Sequence, residues 1–442
     1  MRDIFNMTAA SLGREIAAGA LDPVELAHAF LDRIETHEVS PRIYARVTRD
    51  RALAEAKAAQ GRARSGFRLS LLDGVPISWK DLFDTAGTVT EAGSKLLAGR
   101  VPARDAAVLR NASAAGLVCL GKVHMSELAF SGLGHNPATA TPPCVNDVNA
   151  VAGGSSSGSA ASVAFGLAAA SIGSDTGGSV RIPSAWNDLV GLKTTLGLLS
   201  VDGTVPLCPS FDTVGPLSRS VEDAALLTAI MAGTAAPDLN GAGLKGRRFA
   251  VLTTSVLDDI RDAPKDAFDN AVARLQDAGA AITRLEVPEV ADALALSGAL
   301  FPTEAYGIWK DAIEANPEAM FDQIRERFRL GAAVSAPDYV AAWKQLEGLR
   351  VAWHAAVAPF DAVLAPTSPI LPPNLEKLNS DPDYYVTENL MALRNTRVGN
   401  LMGLSALTVP TGVPSCGIML LGRPNGEAAL LRLGAAAEAA LG

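Results

Sequence analysis

The spacing of apolar side chains near the start of the chain is typical of two helices. Apolar residues recur every three or four positions over residues 8–35, and Gly and Pro interrupt the pattern at residues 19–23. This period places the apolar side chains on one face of a helix. We therefore predict two N-terminal helices that pack against one end of the fold.

Further along, strand-like and helical patterns alternate. They predict elements at residues 71–78 (strand), 106–115 (helix) and 116–121 (strand), with a helix start at His124. The alternation returns at residues 248–254 (strand), 265–278 (helix) and 280–288 (strand). A strand–helix–strand unit of this size is typical of a parallel or mixed sheet.

The remaining part of the chain reads as a helical region followed by strands. Residues 301–356 lose the strand pattern and are predicted to be wholly helical. Strands are predicted at residues 362–366, 406–410 and 417–421, followed by a helix at 427–441. Because no internal repeat, low-complexity linker or charge-rich hinge interrupts the pattern, we predict one α/β domain over residues 1–442.

The composition is that of a folded protein without a surface for nucleic acid or membrane. Hydrophobic residues make up 48% of the chain and charged residues 19%, which disfavours disorder. The net charge is −9 and the 38 Lys and Arg residues are scattered, so we expect no nucleic-acid partner. No run approaches the roughly 18 apolar residues of a membrane span, and the N-terminus lacks the apolar stretch of a signal peptide.

The cysteine pattern predicts neither disulfides nor a metal site. The four cysteines, Cys119, Cys144, Cys208 and Cys416, form no CxxC pair and have no His at metal-ligand spacing. Buried thiols of this kind are typical of a reducing compartment. We therefore expect a cytoplasmic protein with no metal and no cofactor.

Two Gly- and Ser-rich segments carry the candidate chemistry. They are GGSSSGS at residues 153–159 and GSDTGGSVR at residues 173–181, separated by a small-residue helix and an apolar strand. A phosphate-binding loop is disfavoured because neither GxxxxGK[ST] nor GxGxxG occurs in them. A nucleophile elbow needs a buried strand before its GxSxG, and residues 145–150 are too polar to supply one.

Together the two turns resemble the amidase signature family. Further similar segments are DGVPISWKD at 73–81, GHNP at 134–137, GLKT at 191–194, FDTVGPL at 211–217, APT at 365–367 and NLMGL at 400–404. The resemblance implies an α/β fold with a large mixed, twisted β-sheet covered by α-helices on both faces. Within the single amidase domain it implies N-terminal helices at 1–65, a catalytic core at 66–245, a helical layer at 300–356, and strands that rejoin the sheet with a C-terminal helix at 357–442.

The resemblance also implies an activity and a set of roles. The expected enzyme cleaves a carboxamide C–N bond through an acyl-enzyme and releases a carboxylate with ammonia or an amine. The nucleophile is assigned to Ser179, the bridging hydroxyl to Ser155, which is expected on a cis peptide after Gly154, and the base to Lys80. The oxyanion hole is assigned to the backbone N–H groups of Thr176, Gly177, Gly178 and Ser179, and support of the turns to Ser156, Asp175 and Arg181.

Lys80 can act as a base only if its environment lowers its pKa. A solvated lysine has a pKa of about 10.4 and is almost wholly protonated at neutral pH. Burial beside Ile77 and Trp79 would disfavour the ammonium form, and the adjacent Asp81 would point to the other face of an extended segment. His124 and His135 have no partner pattern and are interpreted as structural.

The substrate is the least determined part of the prediction. The candidate pocket residues are mostly apolar or aromatic, namely Trp79, Phe130, Leu133, the loop at residues 205–211 that ends with Phe211, and Tyr306. They favour a small neutral aryl or aliphatic amide, with Arg181 or Arg397 as the candidates for a carboxylate anchor. The oligomeric state stays open, with a homodimer as one option.

Two other functions stay open. The chain could be the glutaminase subunit of a tRNA-dependent amidotransferase, although it is short for that role and residues 301–350 lack the Tyr- and Arg-rich segment expected there. It could also be a catalytically silent binding module on the same scaffold. The presence of Lys80, Ser155 and Ser179 together disfavours the second alternative.

Overall fold

The computed structural model describes residues 3–442, which form an α/β fold. The helices are α1 Ala9–Ala17, α2 Pro23–Thr36, α3 Ser40–Ile43, α4 Arg49–Ser65, α5 Ala107–Ala114, α6 Ser157–Ala164, α7 Arg181–Trp186, α8 Val221–Ala232, α9 Asp262–Asp277, α10 Glu289–Ala295, α11 Ser297–Ala315, α12 Asp322–Arg329, α13 Ala336–Val357, α14 Leu375–Ser380, α15 Pro382–Leu401 and α16 Glu427–Leu441. The strands are β1 Tyr44–Val47, β2 Pro76–Lys80, β3 Val118–Val123, β4 Ala170–Asp175, β5 Val190–Lys193, β6 Thr213–Ser218, β7 Arg248–Leu252, β8 Ala281–Leu285, β9 Ala362–Pro366, β10 Ala406–Pro410 and β11 Gly417–Leu421.

These strands form one mixed sheet. Its order is β1-β3-β2-β4-β6-β5-β10-β11-β9-β7-β8. Strands β3, β2 and β4 are mutually parallel, as are β9, β7 and β8, and the remaining neighbours pair antiparallel. The predicted mixed sheet is therefore confirmed. Because β2 and β4 are parallel neighbours, Lys80 and Asp175, which end them, lie at the same edge of the sheet.

Helices cover both faces of this sheet. Successive residues of a strand point to opposite faces, and on β7 Phe249 and Val251 belong to one apolar cluster while Ala250 and Leu252 belong to another. The first cluster includes apolar residues of α8, α9 and α16, and the second includes those of α1, α2 and α10–α13. Because the helices on each face bury apolar strand side chains away from water, both helical layers stabilise the sheet.

Several elements agree with the sequence patterns. Strands β9, β10 and β11 and helix α16 have the predicted bounds, and the two N-terminal helices are α1 and α2. The predicted strand–helix–strand unit is β7, α9 and β8, whose strands are parallel neighbours. The helical region consists of α11, α12 and α13, so that prediction is also confirmed.

Two boundaries near the site were predicted wrongly. Strand β2 begins at Pro76 rather than at residue 71, because the preceding residues form a turn in which Gly74 has a φ of 91°. No helix starts at His124. The segment instead contains a 3₁₀ turn over Glu127–Ala129, where Leu128 has a φ of 44° that no α-helix accommodates.

Helix α15 has no counterpart in the sequence prediction. Its N-terminus is capped by the Asp381 side chain, which accepts a hydrogen bond of 2.9 Å from the Tyr384 N–H. Much of its polar surface is buried along with its apolar surface, including Asn389, Asn395 and Asn400. A helix that is buried on several sides has no one-sided apolar stripe, so its sequence does not carry the helical pattern.

Candidate active site

Lys80 is buried at the carboxyl end of β2 and contacts two serine hydroxyls. Its side chain is 0% exposed. Its Nζ lies 2.7 Å from Ser155 Oγ and 2.8 Å from Ser174 Oγ. Asp81 does not pair with it, because the Asp81 carboxylate accepts a hydrogen bond of 3.2 Å from Lys122 instead. Lys80 is therefore held by hydroxyl groups and makes no ion pair with any described residue.

Burial lowers the pKa of Lys80 to about 7, although the carboxylates of Asp175 and Asp212 partly oppose the shift. Removing an ammonium group from water disfavours its charged form. A substantial fraction of Lys80 is therefore neutral near pH 7. A neutral amine in hydrogen-bond contact with a hydroxyl can take up that hydroxyl's proton.

Ser155 lies in a tight turn immediately before α6. The Gly154–Ser155 peptide bond is cis, as the resemblance implied. A Cβ on Gly154 would lie 2.4 Å from the backbone nitrogen of Gly134, so only glycine fits at this point of the turn. The Ser155 carbonyl accepts a hydrogen bond of 3.1 Å from the Ser126 N–H, which holds the turn on its other side.

Ser179 ends the turn between β4 and α7. The two turns are joined through the backbone, because the Ser156 N–H donates to the Ser179 carbonyl over 3.2 Å. Within residues 3–442, no hydrogen bond joins the Ser155 and Ser179 hydroxyls directly. Ser179 is 4% exposed and lines a pocket, so its hydroxyl is reached from that side.

The expected oxyanion donors are not all free. The Gly178 N–H donates to Asp175 Oδ1 over 2.8 Å, which corrects the assignment of Gly178 to the oxyanion hole. The N–H groups of Thr176, Gly177 and Ser179 have no acceptor among the described residues. Gly178 is needed for shape instead, because it has a φ of 137° and its Cβ would lie 2.1 Å from Thr396 Oγ1.

Asp175 and Arg181 brace the second turn against α15. Both side chains are fully buried, and the carboxylate accepts two hydrogen bonds of 2.9 Å from the guanidinium. Arg181 also donates to the Asn400 side chain over 2.6 Å and to the Thr396 carbonyl over 2.7 Å. Burial alone would raise the pKa of Asp175, but the Arg181 charge holds it well below its usual range. Asp175 is therefore an anion in the folded protein.

Ser156 links the first turn to strand β4. Its hydroxyl donates to the Ser174 carbonyl over 3.2 Å and accepts from the Ser174 N–H over 3.3 Å. These contacts connect the residue after Ser155 to the strand that supplies the second partner of Lys80. The side chains of Ser156, Asp175 and Arg181 each form hydrogen bonds with residues in or next to the two turns.

A small pocket lies beside Ser179. Its empty volume is about 310 Å³, including open solvent at the mouth. Phe130, Leu207, Phe301 and Leu393 form its apolar walls. Thr176, Gly177 and Ser179 line it on the side of the turn, and Arg327 and Arg397 supply its charged groups.

Of the pocket candidates predicted from sequence, Phe130 lines this pocket, as does Leu207 from the predicted loop at residues 205–211. Trp79 packs edge-on against Phe83, and Leu133 is buried in a separate apolar cluster with Trp186. Phe211 stacks on Trp343 behind Phe301. Tyr306 donates to Glu314 on the outer side of α11. The pocket assignments of these four residues are corrected. Trp79, Leu133 and Phe211 pack against other side chains, and Tyr306 lies at the surface.

Three residues that sequence reasoning did not assign lie at or next to the site. Ser174 is the second partner of Lys80, and it belongs to the GSDTGGSVR segment already singled out. Asp212 accepts a hydrogen bond of 2.5 Å from Thr176 Oγ1, and it belongs to the FDTVGPL segment. Arg327 lies on α12, in a region whose sequence carries no recognisable motif.

The described residues contain no group of three or more His, Cys, Asp or Glu side chains that could hold a metal ion. His135 is buried, contacts Thr141 Oγ1 at 3.1 Å and packs between Phe321 and Tyr385, which is a structural role. Between residues 3 and 442, no helix is long and apolar enough to cross a membrane.

Comparison with known proteins gives consistent matches over nearly the full length. The chain matches the Amidase family over residues 25–431. A glutamyl-tRNA(Gln) amidotransferase subunit of Chloroflexus aurantiacus is 33% identical over 475 aligned positions, covering 98% of this chain and 96% of that protein. The 2-amino-5-chloromuconic acid deaminase of Comamonas testosteroni is 35% identical over 458 positions, covering 99% and 97%. A crystal structure of an amidase aligns with a TM-score of 0.88 at 30% identity, covering 99% of this chain and 100% of that one.

Proposed function

Because this chain belongs to the amidase family and is a hydrolase of amide C–N bonds, we propose that it acts through an acyl-enzyme formed on Ser179. The proposed substrate is a small carboxamide, and the proposed products are a carboxylate and ammonia or an amine. Lys80 is the base and Ser155 is the bridging hydroxyl. No cofactor or metal takes part in the proposed steps.

In the acylation step, Ser179 Oγ attacks the amide carbonyl carbon. Its proton passes to Ser155 Oγ while the Ser155 proton passes to neutral Lys80 Nζ, so the relay leaves Lys80 protonated. The N–H groups of Thr176, Gly177 and Ser179 stabilise the oxyanion, since preorganised donors act where the negative charge develops.

The C–N bond then breaks, and the relay runs in reverse. Lys80 returns a proton through Ser155 to the departing nitrogen, which leaves as ammonia or an amine. Water attacks the Ser179 ester and gives its proton through Ser155 to Lys80. Collapse of this second intermediate releases the acid, and the proton on Lys80 returns to Ser179 Oγ.

One observation carries this proposal. Lys80 is fully buried, its nearest partners are the hydroxyls of Ser155 and Ser174, and its pKa is about 7. A lysine paired with a carboxylate would keep its proton and could not act as a base at neutral pH. The contact of 2.7 Å with Ser155 is within the range for proton transfer.

The direct test is replacement of the nucleophile. We expect Ser179→Ala to lower amide hydrolysis by about 10⁴-fold or more while leaving the Tm unchanged, because triad members act as a unit. Ammonia release and labelling by a fluorophosphonate probe are the two readouts. Ser184→Ala is the matched control, since Ser184 lies on the following helix α7 and its buried hydroxyl has no hydrogen-bond partner among residues 3–442. Appreciable ammonia release by Ser179→Ala protein would refute the assignment.

A second candidate is the glutaminase component of an amidotransferase. It is favoured by the 33% identity to a protein named as an amidotransferase subunit. A glutaminase of this kind works with partner chains, whereas a free amidase works alone. Purification without affinity capture of other chains, followed by assay with glutamine and with simple amides, separates the two. Glutamine hydrolysis only after a partner is added would favour the amidotransferase role.

We also propose that the chain acts as one amidase domain in the cytoplasm, with a small molecule as its partner. The four cysteines are free thiols, which supports a reducing compartment. Nucleic acid is not part of the proposal, because the chain has a net charge of −9.

A further inference from the structure

Two arginines from different helices line the pocket that contains Ser179. Arg327 comes from α12 and Arg397 from α15. The Arg397 stem crosses the turn that presents the oxyanion donors, because a Cβ on Gly177 would lie 3.7 Å from Arg397 Cγ. Both side chains therefore line the space into which a bound amide would extend from Ser179.

Within residues 3–442, neither arginine has an anionic partner. Among the described residues, Arg397 makes no ion pair and no hydrogen bond. Arg327 donates to the Phe130 carbonyl over 2.9 Å and lies 4.3 Å from the centre of the Phe130 ring, but it too makes no ion pair. A cation at a half-buried site without a counter-charge is costly, and two of them repel each other.

The pKa values of Arg327 and Arg397 also favour binding of an anion. Burial, and then repulsion by Arg327, lower the pKa of Arg397 to about 9. Burial lowers the pKa of Arg327 to about 10. Both groups thus remain cations at neutral pH in an environment that disfavours positive charge. An anion entering the pocket would relieve this cost.

We propose that Arg397, assisted by Arg327, binds a carboxylate of the substrate, so that the enzyme acts on small amides that carry a carboxylate group. This inference rests on the proposed amidase function of Ser179. The planar fork of a guanidinium matches the two oxygens of a carboxylate, and such paired hydrogen bonds give both affinity and orientation. The carboxylate would fix the amide relative to Ser179.

The contacts of the arginines replace the expectation of a neutral substrate. They also decide between Arg181 and Arg397, the two candidates for a carboxylate anchor. Arg181 is saturated, since it is fully buried and bonded to Asp175, Asn400 and Thr396. Of these two arginines, Arg397 is the one whose guanidinium donors have no acceptor in the described part of the chain. The apolar walls formed by Phe130, Leu207 and Leu393 suit the short hydrocarbon segment between a carboxylate and an amide.

A binding experiment tests the anion site without turnover. It uses Ser179→Ala protein and compares succinate with succinamide, its neutral counterpart of the same length. We expect succinate but not succinamide to raise the Tm, and Arg397→Met in the same background to abolish the increase. Arg394→Met is the matched control, because Arg394 lies one turn earlier on α15 and donates to the Val256 carbonyl.

Three results of the binding experiment would overturn the inference. They are equal Tm shifts by succinate and succinamide, a succinate shift that persists in Arg397→Met, and a shift by inorganic phosphate without one by succinate. The inference is supported if only succinate raises the Tm, and if this increase is seen in Ser179→Ala protein and in its Arg394→Met variant but not in its Arg397→Met variant.

A kinetic experiment tests the same site in the active enzyme. Succinamate is compared with butanamide, which has the same chain length and no charge. We expect a higher kcat/KM for succinamate, and Arg397→Met should lower the succinamate-to-butanamide ratio of kcat/KM by about 10- to 100-fold. Arg397→Lys should recover part of the ratio, because a point charge remains while the paired hydrogen bonds are lost.

The outcomes separate this inference from the proposed function. Ammonia release from butanamide without any preference for succinamate would reject the anion site and leave the amidase mechanism standing. Failure to release ammonia from any amide, together with no fluorophosphonate labelling, would reject the mechanism. In that case the Tm experiment still decides whether Arg397 binds a carboxylate.

Discussion

Lys80, the proposed base, illustrates how the surroundings of one residue set its charge. A lysine at the end of a strand is ordinarily a solvated cation. Here the side chain is fully buried and its Nζ contacts Ser155 and Ser174, which position the amine without adding negative charge. Asp175 and Asp212 lie near enough to raise its pKa, yet burial outweighs them. The residue therefore titrates near neutral pH.

This titration predicts the pH dependence of the reaction. Because Lys80 must be neutral to accept a proton, we expect kcat/KM to rise with pH through about pH 7 and then to level off. The measurement is kcat/KM for one amide from pH 5 to pH 9. Lys80→Arg is the matched variant, since its guanidinium stays protonated and should be inactive over the whole range. A flat profile from pH 5 to pH 9 would contradict the role of Lys80.

The same shift predicts how stability depends on pH. The pKa of Lys80 falls from 10.5 to about 7 on folding, so between these values the unfolded state binds more protons than the folded state. The contribution of Lys80 to the free energy of unfolding therefore rises as pH increases from 7 to 10.5. Relative to Lys80→Met, the wild type should gain stability over this window in urea unfolding. Parallel curves for the two proteins would argue against a shifted pKa.

At the scale of elements, α15 and the turn after β4 depend on each other. The turn needs Gly178 because Thr396 approaches it closely, and Arg181 reaches the Thr396 carbonyl and the Asn400 side chain. Arg181 and Asn400 are 219 positions apart in the sequence. Helix α15 thus holds the Ser179 turn in position and also carries Arg397 to the pocket.

Breaking this network should be costly. We expect Asp175→Asn to lower the free energy of unfolding by about 3–5 kcal/mol, because it leaves Arg181 as a buried charge without its anion. The double variant Asp175→Asn/Arg181→Met should be more stable than Asp175→Asn alone. Chemical denaturation measures both.

The control for this comparison is an exposed ion pair. Asp269 and Lys265 pair on the surface of α9 with about half of each side chain exposed. Asp269→Asn should therefore change the free energy of unfolding by less than about 1 kcal/mol. If Asp175→Asn costs no more than Asp269→Asn, the buried pair does not brace the turn.

Elements with a clear local pattern were predictable. Strands β9, β10 and β11 are short apolar runs, and α16 has small and apolar residues at helical spacing, so their bounds follow from the sequence. Helix α15 was missed because its buried Asn and Thr side chains take their partners from distant turns and hide its pattern. The prediction of a helix start at His124 was wrong for a related reason. Hydrogen bonds to distant residues, such as that from the Ser126 N–H to the Ser155 carbonyl, hold this segment in a non-helical conformation.

At the scale of the whole molecule, the mixed sheet brings the site together at one edge. Lys80 ends β2, Ser174 and Asp175 end β4, and the two serine turns extend from the same region. The protein carries a net charge of −9, while Arg327 and Arg397 form a local positive site within it. Affinity for an anion would thus arise from local contacts rather than from the overall charge.

The overall charge predicts the solution behaviour. With a pI near 5.2, the protein loses its net negative charge as the pH falls toward 5, and mutual repulsion between molecules disappears. We expect minimum solubility and the largest light scattering near pH 5.2, with recovery at pH 7. A solubility minimum at neutral pH would contradict this expectation.

The sequence by itself indicated the family, and the resemblance to that family implied the mixed α/β fold and the candidate triad, because the motifs that carry the resemblance are local features. Only the tertiary structure decided which groups are free to act. It buried Lys80, engaged the Gly178 N–H and saturated Arg181, and it brought Arg327 and Arg397 to one pocket. Burial and pairing arise between residues far apart in the chain, so no local pattern records them.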